Sequence, residues 1–209
     1  MTTASPQDSK TKLLDAALQV IRTKGYAATT VDDICVQAGL TKGSFFHHFK
    51  SKDALALSAT AHWDAMTEGF FASAPYHNPS DPLERVLGYV AFRGAILDGE
   101  LPDYTCLLGT LVQETYATHP EILAACDRGM SRHIAELTRD VDAAKRLYAP
   151  KARWSAESVS YFIQSVLQGS FVYAKVKQSP AVVRANLDHL TRYLEGLFNQ
   201  SGNTKGAKS

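Results

Sequence analysis

Residues 30–53, TVDDICVQAGLTKGSFFHHFKSKD, constrain the fold of this chain more than any other segment. Thr30 is a good N-cap residue, and Asp33 follows it at the spacing that lets the two close a capping box at the start of a helix. Gly39 stands where a helix can end on a positive φ, and Thr41 offers a second N-cap almost at once. The segment therefore predicts two short helices joined by a tight turn, the arrangement of a helix-turn-helix.

The second of these helices, over residues 42–48, is too short to persist on propensity alone, so it must be held by packing. Phe45 and Phe49 lie one helical turn apart and share the face that can pack. A glycine inside a helix costs about 1 kcal/mol relative to alanine, and the close approach of a large molecule to the backbone would explain Gly43. The residues predicted to point outward are Lys42, Gly43, Ser44 and His47.

A local excess of positive charge surrounds this helix in a chain whose net charge is only +1. The near-neutral balance argues against nucleic-acid binding along a broad basic surface. The stretch over residues 41–52 nevertheless has no acid, and its basic side chains are Lys42, Lys50, Lys52, His47 and His48. An ordinary solvated face is the alternative, but the helix pattern favours contact with phosphates.

Residues 25–55, GYAATTVDDICVQAGLTKGSFFHHFKSKDAL, resemble the DNA-binding domain of the TetR/AcrR family of bacterial transcriptional regulators. The shared features are the glycine-aromatic turn after the first helix, the glycine turn, the KGS-aromatic recognition helix and the HFKSK-acid-Ala-Leu exit. This resemblance covers roughly the first quarter of the chain, and the remainder fits the family in architecture only. The family is dimeric and carries a divergent ligand-binding domain after the N-terminal module.

The resemblance implies an all-α fold of about nine helices, with an N-terminal three-helix DNA-binding domain and a C-terminal ligand-binding and dimerisation domain. Motif and resemblance together place Lys42, Gly43 and Ser44 at base edges, with Lys42 the best candidate for guanine. The residues expected to hold phosphates are Thr30, Thr41, His47, His48 and Lys52. Phe46 occupies the position where the family often has a tyrosine that bonds a phosphate, and His47 or His48 are the candidates to replace part of that contact.

Helical patterns separated by turn signals run through the rest of the chain. One helix is predicted over residues 9–24, and another starts after a Ser51 cap and continues toward residue 74, linking the DNA-binding domain to the next. Later helices are predicted over residues 82–98, 105–118, 120–145 and 155–176, and from Ser179 to the end of the ordered chain. The predicted division is a DNA-binding domain over 1–53 with disordered first residues, a ligand-binding and dimerisation domain over 54–198, and a disordered tail over 199–209.

The last two helices are predicted to form the dimer interface. Apolar residues in the last helix recur at alternating spacings of four and three, as in a coiled-coil seam, and the helix before it has a wider apolar surface than one core face needs. The residues assigned to this interface are Val166, Phe171, Val183, Leu187, Leu190 and Leu194. The alternative is that both helices only complete the core of one chain.

Seven residues are predicted to line a mostly apolar cavity for an uncharged or weakly polar organic effector: Phe70, Phe92, Cys106, Thr110, Gln113, Phe162 and Gln168. Each of them would also suit ordinary core packing. A rival trigger is oxidation or alkylation of the Cys106 thiol, although its neighbours include no base that would activate it. A helical enzyme or carrier is a further alternative, but the sequence has no phosphate loop, HExxH, paired CxxC or nucleophile motif, and no catalytic residue is assigned.

The sequence also bears on the compartment and the partners of the protein. No apolar run is long enough to span a bilayer, and the start MTTASPQDSK lacks the apolar core of a signal peptide. Three widely spaced cysteines do not suggest a disulfide framework. We therefore expect a soluble, cytoplasmic homodimer that binds a double-stranded DNA operator and a small-molecule effector, has no membrane partner and uses no metal or cofactor.

Overall fold

The computed structural model of the chain describes residues 6–199. Within that range the secondary structure is helical with no strands, which confirms the predicted all-α class. The predicted disordered first residues and tail lie outside the described residues, apart from residue 199 itself. The helices are α1 (Pro6–Lys24), α2 (Val31–Ala38), α3 (Lys42–His48), α4 (Lys52–Ala72), α5 (Pro82–Ala95), α6 (Leu101–Tyr104), α7 (Leu107–Thr115), α8 (Pro120–Tyr148), α9 (Ala156–Lys177) and α10 (Ala181–Asn199).

Local capping sets where the helices of the N-terminal segment begin and end. Thr30 and Asp33 form the predicted capping box at the start of α2, and Gly39 ends that helix in the left-handed conformation with φ of 65°. The Thr41 side chain accepts a hydrogen bond from the Ser44 N–H and starts α3. Ser51 accepts one from the Ala54 N–H at 3.1 Å at the start of α4. Two tight turns therefore hold three helices within a short segment.

The structure differs from the sequence prediction most between α5 and α8. The helix expected to reach residue 98 ends at Ala95, and the single helix expected over residues 105–118 is preceded by the one-turn helix α6. The backbone N–H of Glu100 bonds to the side chain of Asp103, which holds that separate turn together. Cys106 then caps α7 by accepting a hydrogen bond from the Gly109 N–H at 3.4 Å. The helix α6, in a segment predicted to lie between two helices, thus brings the α-helices of the described residues to ten, one above the nine expected.

The chain packs as two compact units. Unit 1 consists of the described part of Met1–Phe70 together with Glu100–Met130, and unit 2 consists of Phe71–Gly99 with the described part of Ser131–Ser209. The chain passes between them within α4, within α8 and at Gly99. These units are defined by packing alone, and the functional division at residue 53 stays a prediction.

In unit 1, α1 packs against α2, α3, α6 and α7. Its core joins the apolar faces of the first four helices to Leu107 and Leu111 of α7, and both leucines are fully buried. Burial of a leucine side chain contributes about 1.5–3 kcal/mol, so α7 is part of what holds the helix-turn-helix. The polar side chains of α7 satisfy themselves locally, since Thr110 and Thr115 donate to carbonyl oxygens one turn earlier.

In unit 2, α10 packs against α9 and α5. The stripe predicted as a dimer seam faces this packing, and its members Val183, Leu187, Leu190 and Leu194 are all buried within the single chain. Phe171 of α9 is also buried, and Val166 is half-buried. These burials match the intramolecular alternative for the stripe. Among residues 6–199, none of the helices is both long and apolar enough to cross a membrane.

Candidate nucleic-acid interface

Two buried phenylalanines fix α3 on the surface of unit 1. Phe45 is fully buried and Phe49 nearly so, and their ring centroids lie 5.8 Å apart. Both belong to the core that also contains α1, so the opposite face of α3 is left to solvent. The sequence predicted this arrangement, in which the two rings pack inward and their neighbours point outward.

The exposed face of α3 presents small residues, basic side chains and one aromatic ring. Lys42, Gly43 and His47 are exposed, and Ser44 is half-buried. Phe46 is 56% exposed, which is unusual for a phenylalanine in a folded chain, and its ring edge rests on Phe45. No side chain of the described residues requires a glycine at position 43, because an added Cβ would meet only the Thr41 hydroxyl, at 3.6 Å.

Lys42 is held in place by an ion pair across the turn. Its Nζ lies 2.8 Å from Oδ1 of Asp32 on α2, and both side chains are largely exposed. The hydrogen bond to Asp32 raises the pKa of Lys42, so the ammonium stays charged at all relevant pH. Exposed pairs of this kind are weak, and the lysine can exchange Asp32 for another anion at little cost.

The two threonines at the helix starts have different hydrogen-bonding states. Thr30 donates its backbone N–H and its hydroxyl to Oδ2 of Asp33, and Lys24 approaches the same oxygen at 2.6 Å. These contacts, led by the bond from Lys24, lower the pKa of Asp33 well below its ordinary value. The Thr41 hydroxyl oxygen accepts from the Ser44 N–H at 3.2 Å, which leaves its own proton to donate outward.

The two histidines of α3 are also distinct. His48 lies with Nε2 2.8 Å from the Ser9 hydroxyl of α1, whereas His47 is exposed and meets His48 edge-on with ring centroids 4.8 Å apart. Loss of hydration and then the positive charges of His47 and Lys10 lower the pKa of His48. His48 therefore contributes hydrogen bonding to this surface and no charge at neutral pH.

Lys52 points into the turn that joins α1 to α2. Its ammonium donates to the carbonyl oxygens of Tyr26 and Thr29, each at 3.0 Å, and lies 4.3 Å from the centroid of the Tyr26 ring. Two of the three donors of the ammonium are thus committed within the chain. This lysine fixes the position of the turn, in addition to the phosphate contact predicted for it.

The same turn is clamped by residues to which the sequence assigned no role. The carboxylate of Glu114, in the last turn of α7, accepts from the backbone N–H groups of Tyr26 at 3.1 Å and Ala27 at 2.7 Å. The Tyr26 hydroxyl donates to Asp53, and His119 lies 3.8 Å from the same carboxylate oxygen. No spacing rule relates residues so far apart in the chain, and the local signal was the glycine at position 25, which takes a positive φ at the end of α1.

The residues predicted to line an effector cavity are distributed over both units. In unit 1, Phe70 is 47% exposed, Cys106 caps α7, and Thr110 and Gln113 donate to carbonyl oxygens of their own helix. The capping role of Cys106 does not favour the thiol-sensor alternative. In unit 2, Phe92 packs against Phe71, Phe162 is half-exposed beside Tyr193, and Gln168 is half-buried.

Unit 2 has an exposed apolar groove on the outer face of α9 and α10. Its volume is about 440 Å³, and it is lined in part by Phe162, Gly169, Tyr173, His189 and Tyr193. Tyr173 is 59% exposed, and Val176, one turn further along α9, is 68% exposed. This surface lies on the helices to which the sequence assigned the dimer interface, and its lining includes two of the residues predicted for that interface, Val166 and Leu190. Within the described chain, no group of three or more metal-ligating side chains is arranged to hold a metal ion.

Comparison with known protein families gives a match at the N-terminal segment. Residues 13–59 match the family described as bacterial regulatory proteins, tetR family. An uncharacterized HTH-type transcriptional regulator of Bacillus subtilis, YerO, is 38% identical over 60 residues, which are 29% of this chain and 21% of that protein. The alignment with YerO thus spans about a fifth of that protein's own length.

Longer matches extend through the C-terminal helices. An uncharacterized HTH-type transcriptional regulator encoded in the lacX 3' region of Lactococcus lactis is 24% identical over 193 residues, 90% of this chain and 94% of that protein. The crystal structure of a TetR transcriptional regulator from Chloroflexus aurantiacus superposes with a TM-score of 0.79 at 19% identity, covering 91% of this chain and 96% of the other. At that identity the structural match shows the fold alone.

Proposed function

Because this chain belongs to the TetR family of bacterial transcriptional regulators, we propose that it is a dimeric repressor of a pseudo-palindromic operator, released by a small organic effector. A regulator of this kind binds DNA and catalyses no reaction, so its function lies in two binding equilibria. The bacterial cytoplasm, where the operator is found, is the proposed compartment.

The observation that carries the proposal is the exposed face of α3. Phe45 and Phe49 anchor a seven-residue helix from one side, and the other side offers the exposed Lys42 and Gly43 and the half-buried Ser44. The backbone at Gly43 is open to close approach, which a major groove would use. We assign Lys42 to guanine, with Gly43 and Ser44 at adjacent base edges.

Phosphate contacts would flank this helix on both sides. We assign them to Thr30, Thr41, His47, His48 and Lys52, of which Thr41 and His47 are the most available in the free protein. Phe46 has no hydroxyl to bond a phosphate, but its exposed ring can contact a thymine methyl group or a sugar. On leaving Asp32, the Lys42 ammonium would exchange one carboxylate for the negative surface of the groove.

The dimer would be formed by the outer face of α9 and α10. The large exposed side chains Phe162, Tyr173, Val176 and Tyr193 lie on these two helices, and a second copy of the same face would cover them. Two copies of two helices give a four-helix interface. A two-fold axis through it would present two α3 helices to half-sites about one helical turn, or roughly 34 Å, apart.

Release by an effector requires two conformations with different separations of the α3 helices. An effector that binds one conformation more tightly shifts the population toward it, and only this difference in affinity can lower operator binding. The helices whose movement could reach α3 include α4, which follows it directly, and α7, whose Glu114 holds the turn before α2. The sequence-based expectation of a link through α4 is retained in this proposal.

Selection of duplexes from a random-sequence pool tests the proposal. Purified protein should enrich a sequence with two related half-sites on opposite strands, centred about 10 base pairs or a small multiple of that distance apart. Sedimentation of the complex should give an even number of chains per duplex. Enrichment of a single isolated half-site, or none above the starting pool, would contradict a dimeric DNA-reading function.

A further inference from the structure

Unit 2 encloses a cluster of aromatic side chains with polar groups at its centre. Tyr89 is fully buried on α5, and its ring centroid lies 6.2 Å from that of Phe71 and 5.4 Å from that of Tyr76. The ring of Phe92 contacts the same two rings, at 5.9 and 5.6 Å. Tyr76 comes from the 3₁₀ turn at Pro75–His77, which approaches α5 closely because position 88 is a glycine. His133 of α8 adds a further ring, 5.0 Å from that of Phe71.

The neutral polar groups of this cluster satisfy one another. The side-chain amide of Gln164 donates to the Tyr89 hydroxyl oxygen at 2.5 Å, and that hydroxyl lies 2.7 Å from Nε2 of His133. Since the Tyr89 oxygen accepts from Gln164, we assign its proton to the bond with His133. This series of hydrogen bonds needs a neutral imidazole at His133. Burial and then the charge of Arg93 lower the pKa of His133 to about 4, which agrees with that requirement.

Arg93 is the charged member of the cluster, and its Nε has no hydrogen-bond acceptor there. Its guanidinium lies over the rings of Phe71 and Phe171, 5.3 and 5.7 Å from their centroids, and its buried Nε has no hydrogen-bond partner among the described residues. No carboxylate of the described chain forms an ion pair with it. Glu136 and Asp140 both act electrostatically on nearby Tyr76, and Asp140 is paired with Arg85 at 2.8 Å. Stacking on rings does not satisfy N–H donors, so a planar acceptor is missing.

We propose that this cluster binds the effector and that the effector is an aromatic monocarboxylate, whose anion Arg93 holds while its ring packs among Phe71, Tyr76 and Phe92. A guanidinium binds a carboxylate through two parallel N–H donors, and the buried Nε of Arg93 is a donor left without an acceptor among the described residues. One cation favours one negative charge, and the surrounding rings favour an aromatic body. The assignment rests on the proposed effector response for its regulatory meaning, and it replaces the uncharged effector expected from the sequence.

Titration calorimetry on the full-length protein without DNA tests this site. The probes are benzoate, phenylacetate and 1-naphthoate, each compared with its primary amide, which keeps the shape and removes the charge. At least one acid should bind 10-fold or more tightly than its amide, a difference of about 1.4 kcal/mol. Failure of all three acids to bind, or equal binding of acids and amides, would overturn the proposal.

Variants separate the role of Arg93 from general effects of charge. Arg93→Gln should reduce the affinity for the acid to that for the amide, and Arg93→Lys should keep part of the preference. Arg153→Gln removes a charge from an exposed position of the same unit and should leave the preference unchanged. An Arg93→Gln protein that still prefers the acid would contradict the assignment, and the Lys variant provides the test if the Gln variant does not fold.

The same probes distinguish this inference from the proposed DNA function. Acid binding measured without DNA does not depend on whether the protein reads an operator. An acid that binds through Arg93 should also release the selected operator duplex, and its amide should not. Binding through Arg93 with no release would contradict the effector assignment, while operator binding itself would stand.

Discussion

The carboxylate of Glu114 in the last turn of α7 accepts a hydrogen bond from the backbone N–H of Tyr26, 88 positions earlier in the chain, at 3.1 Å. A second bond, from Ala27 at 2.7 Å, makes the contact a clamp on the turn that leads into α2. Lys52 holds the other side of this turn through two carbonyl oxygens. The position of the helix-turn-helix thus depends on a residue outside it, on a helix that also belongs to the core of unit 1.

Replacing Glu114 by alanine should therefore lower the stability of the protein. Two backbone donors would lose their acceptor to water, and we expect a loss of about 1–2 kcal/mol in the free energy of unfolding, measured with urea. Glu121→Ala, at an exposed position in the first turn of α8, serves as the control and should change stability by less than about 0.5 kcal/mol. Equal effects of the two substitutions would show that the clamp contributes nothing.

Gly43→Ala should separate folding from DNA recognition. A methyl group at this position meets only the Thr41 hydroxyl at an ordinary distance, so the free protein should be unchanged or more stable by up to about 1 kcal/mol. Affinity for the selected operator should fall at least 10-fold, because the same methyl would stand between the helix and the groove. Undiminished operator affinity would mean that no close approach occurs at Gly43.

The dimer interface can be tested at Tyr173, which is 59% exposed in the single chain. Tyr173→Asp would place a charge in the proposed interface, and sedimentation should show a shift from dimer to monomer with weaker operator binding. Tyr116→Asp is the matched control, since Tyr116 is 66% exposed on unit 1 and outside that face. A Tyr173→Asp protein that remains dimeric at micromolar concentration would place the interface elsewhere.

Stability should fall in acid partly through His133. Burial lowers its pKa to about 4 from an ordinary 6.5, so between these values the unfolded chain binds a proton that the folded chain does not. Its contribution is therefore complete above about pH 6.5 and is lost as the pH falls toward 4, by on the order of 3 kcal/mol in total.

Urea unfolding between about pH 7 and 5 measures this dependence. His133→Gln keeps an acceptor for Tyr89 and should flatten the curve, whereas substitution of the exposed His47 by glutamine should not. The same slope in the protein and in the His133 variant would contradict a buried neutral histidine.

The helix boundaries near caps could be predicted because caps are local. Thr30, Thr41, Ser51, Asp81 and Ser155 each bond a backbone N–H two or three residues ahead, so the sequence contains both partners within a single turn. Gly39 is likewise readable, since a left-handed helix end favours glycine. The helix-turn-helix could accordingly be placed from the sequence within a residue or two.

Features that join distant parts of the chain could not be predicted. The spacing of Leu187, Leu190 and Leu194 describes a buried stripe but not which helix covers it, and their own chain does so. Glu114 carried no motif, and the bond between Ser9 and His48 joins two helices whose packing angle no local pattern defines. The seven residues predicted to line a cavity were chosen by residue type and helix assignment. Residue type alone does not determine which side chains meet in the folded chain.

The most direct test of the account is binding of the protein to the DNA that flanks its own gene. Fluorescence anisotropy would compare this duplex with a scrambled one over a series of salt concentrations, for the unaltered protein, Lys42→Ala and the control Lys151→Ala. We predict tight binding to the flanking duplex alone at two chains per site, lost in Lys42→Ala and kept in Lys151→Ala, with all three proteins dimeric. Weak binding to both duplexes with the same steep salt dependence, or an unchanged preference in Lys42→Ala, would contradict sequence reading by α3.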